Sequence, residues 1–319
     1  MRTALDCVLC FLRQTLEAAR AATPEVRVHE RIVREVLRLV AGVELDRSPP
    51  AVGQVIHRRL RELTGVRDPY REAKRRFNRL ALEALPELAA QVRQADDPLL
   101  MAARCSVAAN AIDMGVASAL TEADVRAALR GAAGESVHRE WAPFLEVAAR
   151  ATDILYLADN AGEIAVDRLV IEALGPARVT VVVRGGPVLN DATLEDARAV
   201  GLTGIVSVID NGSDAPGTLL DDCSPAFRRR FDCADLIIAK GQGNYETLSG
   251  AGRPIAFWFK VKCPLVSGQT GLPVGTHALI SPDVVDQRPE RMVEIDQHQH
   301  EAGGTRPRDP INPSQQEVS

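Results

Sequence analysis

Apolar residues in the first part of the chain recur with helical spacing. Leu5, Val8, Leu9, Leu12 and Leu16 fall on one face of a helix, and Ile32, Val33, Val36, Leu37 and Val40 do the same. Abundant Ala, Leu, Glu and Arg favour helix up to about residue 145. Pro49-Pro50 reads as a break, followed by a helix over 51–63. Asp68-Pro69 reads as an N-cap and a first-turn proline opening a long helix through Leu82. Asp97-Pro98 repeats that signal ahead of a segment running to about Ala117. Thr121 to Asp124 have the form of a capping box, predicting one more helix over 125–130.

The pattern changes near residue 150. Residues 154–157, 179–183, 205–209 and 236–239 are apolar runs, mostly rich in β-branched side chains. Helical stretches at 164–174, 194–200 and 218–231 separate them. A further apolar run at 254–259 predicts another strand. Strands alternating with helices imply right-handed parallel units, hence an α/β fold with a doubly wound sheet. The expected organisation is a helical domain over 1–148 and an α/β domain over 149–285. A polar tail rich in Pro, Gly and Gln over 286–319 is expected to be disordered. His298 and His300 in that tail make a weak metal tract at most, and two exposed histidines are commonly incidental.

Composition narrows the class. Hydrophobic content of 46% and charged content of 25% are those of a protein with a filled core. A net charge of −5 argues against nucleic acid, which needs a clustered basic surface. The arginines between Arg71 and Arg79 sit in a helical pattern with acids nearby and read as a solvated helix face. No run approaches the ~18 apolar residues of a membrane span. Asp6 and Arg13 interrupt the first apolar stretch too early for a signal peptide. Six irregularly spaced cysteines do not form a disulfide framework. A cytoplasmic enzyme is the expectation.

The chemistry gathers at the ends of the predicted strands. Asp159, Asn160 and Glu163 end the first, and Asn190 and Asp191 follow the second. Asp210, Asn211 and Gly212 end the third, and Lys240, Gly241, Gln242, Gly243, Asn244, Tyr245 and Glu246 end the fourth. In a parallel sheet these ends lie along one edge, where α/β proteins bind their ligands. Two carboxylates and an amide oxygen suit an octahedral cation such as Mg or Mn. With no His/Cys cluster at these ends, tetrahedral zinc is disfavoured there. Lys240 can act as a point charge on a phosphate, and the flanking glycines let backbone N–H groups approach an anion. Together these describe a phosphoryl-transfer site. Taken singly, each motif has a local reading: an Asx turn at 159–162, a helix cap at 190–193, a surface lysine at 240.

Three further features stay open at this level. Asn110 and Asp113 share a helical face in apolar surroundings, so they need partners in an interhelical hydrogen bond or a cleft. His57 fits a helix surface or the same cleft. Cys7 and Cys10 share a helical face and suit a metal half-site, a redox pair or plain packing. A zinc site would need two more ligands, for which Cys263 and Cys105 are the candidates.

The motifs at 159–163, 189–193 and 240–248 resemble those of the DUF89 family of metal-dependent damage-control phosphatases. So do Asp6 to Cys10, Asp68 to Tyr70, Asn110 to Asp113 and Lys260 to Pro264, in the same order along nearly all of residues 1–285. The resemblance is to the compact prokaryotic branch with an N-terminal Cys-x-x-Cys. It implies a helical part packed on a Rossmann-like α/β/α part. It implies that Asp159, Asn160 and Asp191 hold a divalent metal (Mn, Ni, Co or Mg), with Lys240 near a substrate phosphate. Asn110 and Asp113 would reach the cleft. The activity implied is hydrolysis of small phosphorylated metabolites, sugar phosphates among them.

In the mechanism expected from this, a metal-activated water attacks and Glu163 orients it. Lys240 and the backbone of 241–244, Gly241 and Asn244 included, bind the phosphoryl oxygens. An attacking carboxylate, Asp159 or Asp191, is the variant. Two other classes compete: a non-catalytic phosphometabolite- or nucleotide-binding protein, and a carboxyl methyltransferase using S-adenosylmethionine. The chain lacks a glycine-rich strand–turn–helix fingerprint for the latter. The motifs specify neither substrate nor oligomeric state.

Overall fold

The structure, a computed structural model, describes residues 1–110, 127, 131 and 137–281. Asp113, the expected helix at 125–130 apart from Ala127, which is helical, and the polar tail with His298 and His300 lie outside the described residues.

Three helices come first: α1 (Leu5–Ala22), α2 (Val26–Ala41) and α3 (Pro49–Thr64). Pro49 and Pro50 begin α3 rather than break the chain before it. At the first helical positions a proline lacks only an N–H that no helical carbonyl would accept. Gly65, at φ 70°, ends α3 in the left-handed region. Helix α4 (Arg71–Gln94) runs well past the predicted end at Leu82 and carries Pro86 in its interior. Ala84, Leu88 and Val92 continue its buried stripe, and burying them offsets the cost of about 3 kcal/mol that an internal proline imposes. Helix α5 (Pro98–Ala109) begins where expected, the Asp97 carboxylate accepting the Leu100 N–H at 2.9 Å.

Seven strands form one sheet: β1 (Val137–Arg139), β2 (Ile154–Leu157), β3 (Val179–Val183), β4 (Ser207–Asp210), β5 (Leu236–Lys240), β6 (Ile255–Lys260) and β7 (His277–Ile280). Their spatial order is β1-β7-β6-β5-β2-β3-β4, and every pair is parallel except β6–β7. Between them lie α6 (Trp141–Arg150), α7 (Glu163–Leu174), α8 (Leu194–Ala199), α9 (Pro225–Cys233), α10 (Gln242–Leu248) and α11 (Pro264–Thr270). Strands β1 and β7 and helix α6 were not foreseen. The helix expected over 218–231 starts only at Pro225, because Ser224 caps it by accepting the Phe227 N–H. From β2 the chain winds outward through β3 and β4, then returns to the other side of β2 as β5. That reversal opens a crevice between the ends of β2 and β5.

Side chains along the strands alternate between two cores. Ile154, Tyr156, Val181, Leu236 and Ile238 pack against α4, α5 and α7. Leu155, Leu157, Ile237 and Ala239 pack against Phe227 and Phe231 of α9 and Tyr245 and Leu248 of α10. Helices α1 to α3 close around a third core containing Phe11, Ala18, Ile32, Val36, Val52, Ile56 and Leu60. The helices of 1–110 therefore divide: α4 and α5 share the sheet's core, whereas α1 to α3 form a layer of their own.

Polar contacts hold that layer to the loop after β4. Gln54 donates to Asp214 (2.8 Å) and Asp222 (2.7 Å), and Arg58 pairs with both. Arg61 pairs with Asp214 and donates to the Pro187 carbonyl at 2.9 Å. His57 is buried in the same seam, 4% exposed, and does not line the cavity described below. Burial, reinforced by Arg61 and only partly opposed by Asp214, pulls its pKa down to about 4. The folded state therefore holds it neutral while the unfolded chain takes up a proton below about pH 6.5. Stability should fall by up to about 3 kcal/mol as pH drops from about 6.5 to 4. His57→Asn is expected to remove that part of the slope, read from urea midpoints across the range.

Among the described residues no helix is long and apolar enough to cross a membrane.

Candidate functional site

The loops that leave β2 and β3 are stitched together beyond the sheet edge. The Ala161 N–H donates to the Asn190 carbonyl (2.8 Å), the Ala192 N–H donates to the Asp159 carbonyl (2.7 Å), and Asn160 bridges Asp191. This brings Asp159, Asn160 and Asp191 side by side. Leu189, immediately before, sits at φ 44°, the one left-handed residue other than glycine among those described. Such a conformation persists only where its surroundings enforce it. Gly241, just after β5, completes the crevice. Its φ is 79°, and a Cβ there would lie 2.0 Å from Asp159 Oδ2.

Two amides fix the carboxylates. Asn110 Nδ2 donates to Asp159 Oδ2 and to Glu163 Oε2, both at 2.7 Å. Asn160 Nδ2 donates to the same two oxygens at 2.8 and 3.0 Å. Arg184 Nε donates to Asp191 Oδ2 at 2.6 Å, and its Nη2 stands 3.8 Å from Asp159 Oδ1. Arg184 is itself held by Thr218 and by Asn244, whose Nδ2 donates to the Lys240 carbonyl. Asp159 Oδ1, Asn160 Oδ1 and Asp191 Oδ1 then have no hydrogen-bond donor among the described residues. All three residues line one cavity of about 270 Å³, walled on its far side by α1 and the start of α3.

The charges do not balance. Among the described residues, Asp159, Glu163, Asp167 and Asp191 are buried with Lys240 and Arg184 as the buried cations paired to them, an excess of two negative charges. Burial, then Asp191 and Glu163, push the Asp159 carboxyl up to about 7, with Lys262 and Arg184 opposing. Burial also raises Asp191 and Glu163. Hard oxygens with uncompensated negative charge are the donor set a divalent cation takes. Among the described residues no three His, Cys, Asp or Glu side chains stand where they could hold a metal. Asp159, Asn160 and Asp191, the set named from the motifs, all line the same cavity.

Several expected roles change. Lys240 is fully buried and absent from the cavity wall. Its ammonium donates to Glu163 Oε1 (2.5 Å), Asp167 Oδ1 (2.8 Å) and Ser106 Oγ (2.5 Å), which uses all three of its protons. It lies behind Glu163, away from the cavity wall. Burial alone would lower its pKa; Asp167 and Glu163 outweigh that and hold it well above the ordinary value. Glu163, 1% exposed with both oxygens taken, does not face the cavity and is not placed to orient a water. The Gly241 N–H donates to the Trp258 carbonyl, and Asn244 is fully buried against Arg184, so neither is offered to a ligand. Asn110 touches the acids rather than the cavity. From the 241–246 loop, the wall takes Gln242, Gly243 and Glu246.

Four residues were missed. Lys262 is the exposed lysine on the cavity wall, and it was visible in the 260–264 motif, two positions after Lys260. Arg184 ends the 179–183 run directly. Asp167 lies four residues after Glu163 on an otherwise apolar face, spacing that puts both acids together. Ser106, four residues before Asn110, had no signal of its own.

Cys7 and Cys10 of α1 line the wall opposite the acids, joined by Cys263. Burial raises the thiol pKa of Cys7 and of Cys263. Cys105 is fully buried in the sheet's core with α5, so it does not complete a zinc site with them.

In this chain two aspartates and an asparagine line one cavity at the winding reversal of a parallel sheet. The chain belongs to the damage-control phosphatase ARMT1-like domain family, whose model matches residues 3–277. It is 34% identical over 287 residues to an uncharacterised protein of Methanocaldococcus jannaschii (86% of this chain, 94% of that one). It is also 34% identical over 275 residues to a damage-control phosphatase of Archaeoglobus fulgidus (84% and 95%). The crystal structure of a DUF89 family protein from Pyrococcus horikoshii superposes with a TM-score of 0.79 at 29% identity, covering 88% of this chain and 99% of that one. The motif resemblance and the mostly parallel α/β fold both hold.

Proposed function

We propose that this chain is a divalent-metal-dependent phosphatase acting on phosphate monoesters of small metabolites. One observation carries the reading: among the described residues, Asp159, Asn160 and Asp191, each with an oxygen that accepts no hydrogen bond, line one cavity whose buried acids outnumber their paired cations by two. Asp159, Asn160 and Asp191 would hold the ion, with Mn, Co, Ni and Mg as the candidates. When bound, such an ion supplies Lewis-acid polarisation of the phosphoryl group.

The chain's own residues do the rest. Lys262 presents a point charge to the phosphate at the mouth of the cavity. Arg184 keeps Asp191 in place, and Gly241 lets Asp159 lie flat against the end of β5. Each aspartate has one oxygen tied to N–H donors and the other turned to the cradle. With their remaining oxygens on the ion, neither aspartate is available for attack on phosphorus, which favours water as the nucleophile. Hydrolysis then forms one P–O bond from water and breaks the ester P–O bond.

The test is release of phosphate from p-nitrophenyl phosphate and a panel of phosphorylated metabolites after chelation and re-addition of each ion. Activity should require a divalent ion, and Asp191→Ala should lose at least about 10³-fold, as when an electrostatic catalytic group is removed. Undiminished turnover in that variant, or full turnover in chelator, would overturn the reading. Ligand binding without turnover under any ion would make the protein a binding module instead.

A further inference from the structure

The orientation of one amide decides whether the cradle can accept a cation. Carbonyl and NH2 of an asparagine have nearly the same shape, so only hydrogen bonding settles which of them faces the cavity. Here the NH2 groups of Asn110 and Asn160 both lie between Asp159 Oδ2 and Glu163 Oε2, four N–H···O contacts closing a ring. A turned Asn160 would set its carbonyl against two carboxylate oxygens and its NH2 toward the ion.

Glu163 is in turn fixed from behind. Its Oε1 takes the Lys240 ammonium, which also grips Asp167 and Ser106; Asp167 Oδ1 accepts from Tyr156 (2.8 Å) and Ser106 (2.6 Å) as well. A continuous buried chain therefore runs from the sheet's core to Asn160. Neither Lys240, Asp167 nor Glu163 lines the cavity.

We infer that Glu163, clamped by Lys240, is a positioning residue that keeps the Asn160 carbonyl oxygen turned to the cation, and so sets the affinity of the cradle. This rests on the metal reading above. Glutamine at 163 has the same shape but one oxygen, which cannot serve Lys240 and both amides together. Glu163→Gln also removes one of the two surplus negative charges, so the ion-free variant has no electrostatic reason to unfold.

The experiment is direct Mn binding to chelator-treated full-length protein, followed by titration calorimetry or by the electron paramagnetic resonance of free Mn. Glu163→Gln is expected to raise Kd at least about tenfold, with the ion-free melting temperature retained. The discriminating measurement is a double-mutant cycle with Asn160→Asp. Aspartate offers an oxygen in either orientation, so adding Glu163→Gln to that background should leave Kd within about twofold, or lower it. An equal loss in both backgrounds would show that Glu163 acts through charge alone and would overturn the inference, as would Glu163→Gln binding Mn like the parent. A parent protein that binds no Mn would instead bring down the metal reading itself.

Discussion

Lys240→Met is expected to destabilise the protein by about 3–5 kcal/mol, the usual cost of removing one partner from a buried ion pair. Methionine fills much of the same space but leaves Glu163 and Asp167 in the interior with no cation between them. Those acids would respond by binding a proton that the unfolded chain does not bind. The folded pKa of an acid being raised, stability is retained at low pH and lost as pH rises through the folded value. The destabilisation should therefore be larger at about pH 8 than at about pH 5.5, read from urea unfolding. A lysine poised on a substrate phosphate would behave oppositely, losing activity and leaving the fold intact. Unchanged stability at about pH 8 would refute the buried placement.

Gly241→Ala should disable the site by displacement. The added methyl would lie 2.0 Å from Asp159 Oδ2 and 2.1 Å from its Cγ, so the carboxylate must leave its place or β5 must shift. A misplacement on the order of 1 Å typically costs about 10²-fold in rate, and Mn affinity should fall with it. Gly175→Ala is the control: φ there is 93°, with nothing within 4 Å of the added carbon. It carries the conformational strain of about 1–2 kcal/mol without the clash. If both variants lose activity alike, strain and not the Asp159 contact is responsible.

The strand tips were legible because an apolar run that stops at Asp, Asn or Gly marks an edge, and topology brings such edges together. Asp159, Asn160 and Asp191 were found that way. The direction of Lys240 was available in the same sequence but went unread. Residues 236, 238 and 240 share one side of β5, and Leu236 and Ile238 face α5 and α7. Alternation alone turns Lys240 into that core, where the Glu163–Asp167 spacing supplies its counter-charges. The role of Arg184 was harder to see, because its partners Thr218 and Asn244 come from segments 34 and 60 residues away. Likewise β1 was missed because two of its three residues, His138 and Arg139, are polar, and β7 because His277 cuts its apolar run to three residues.

The layer of α1 to α3 has one more implication. Its residues wall the cavity and pack around a nucleus of their own, against which Leu189, two residues before Asp191, also rests. Substitutions at Phe11, Pro49 or Pro50 would reshape this wall, and through Leu189 the loop that carries Asp191 would feel them. Under the proposed function, the helical layer thus governs both the shape of the enclosure and how firmly the Asp191 loop is held.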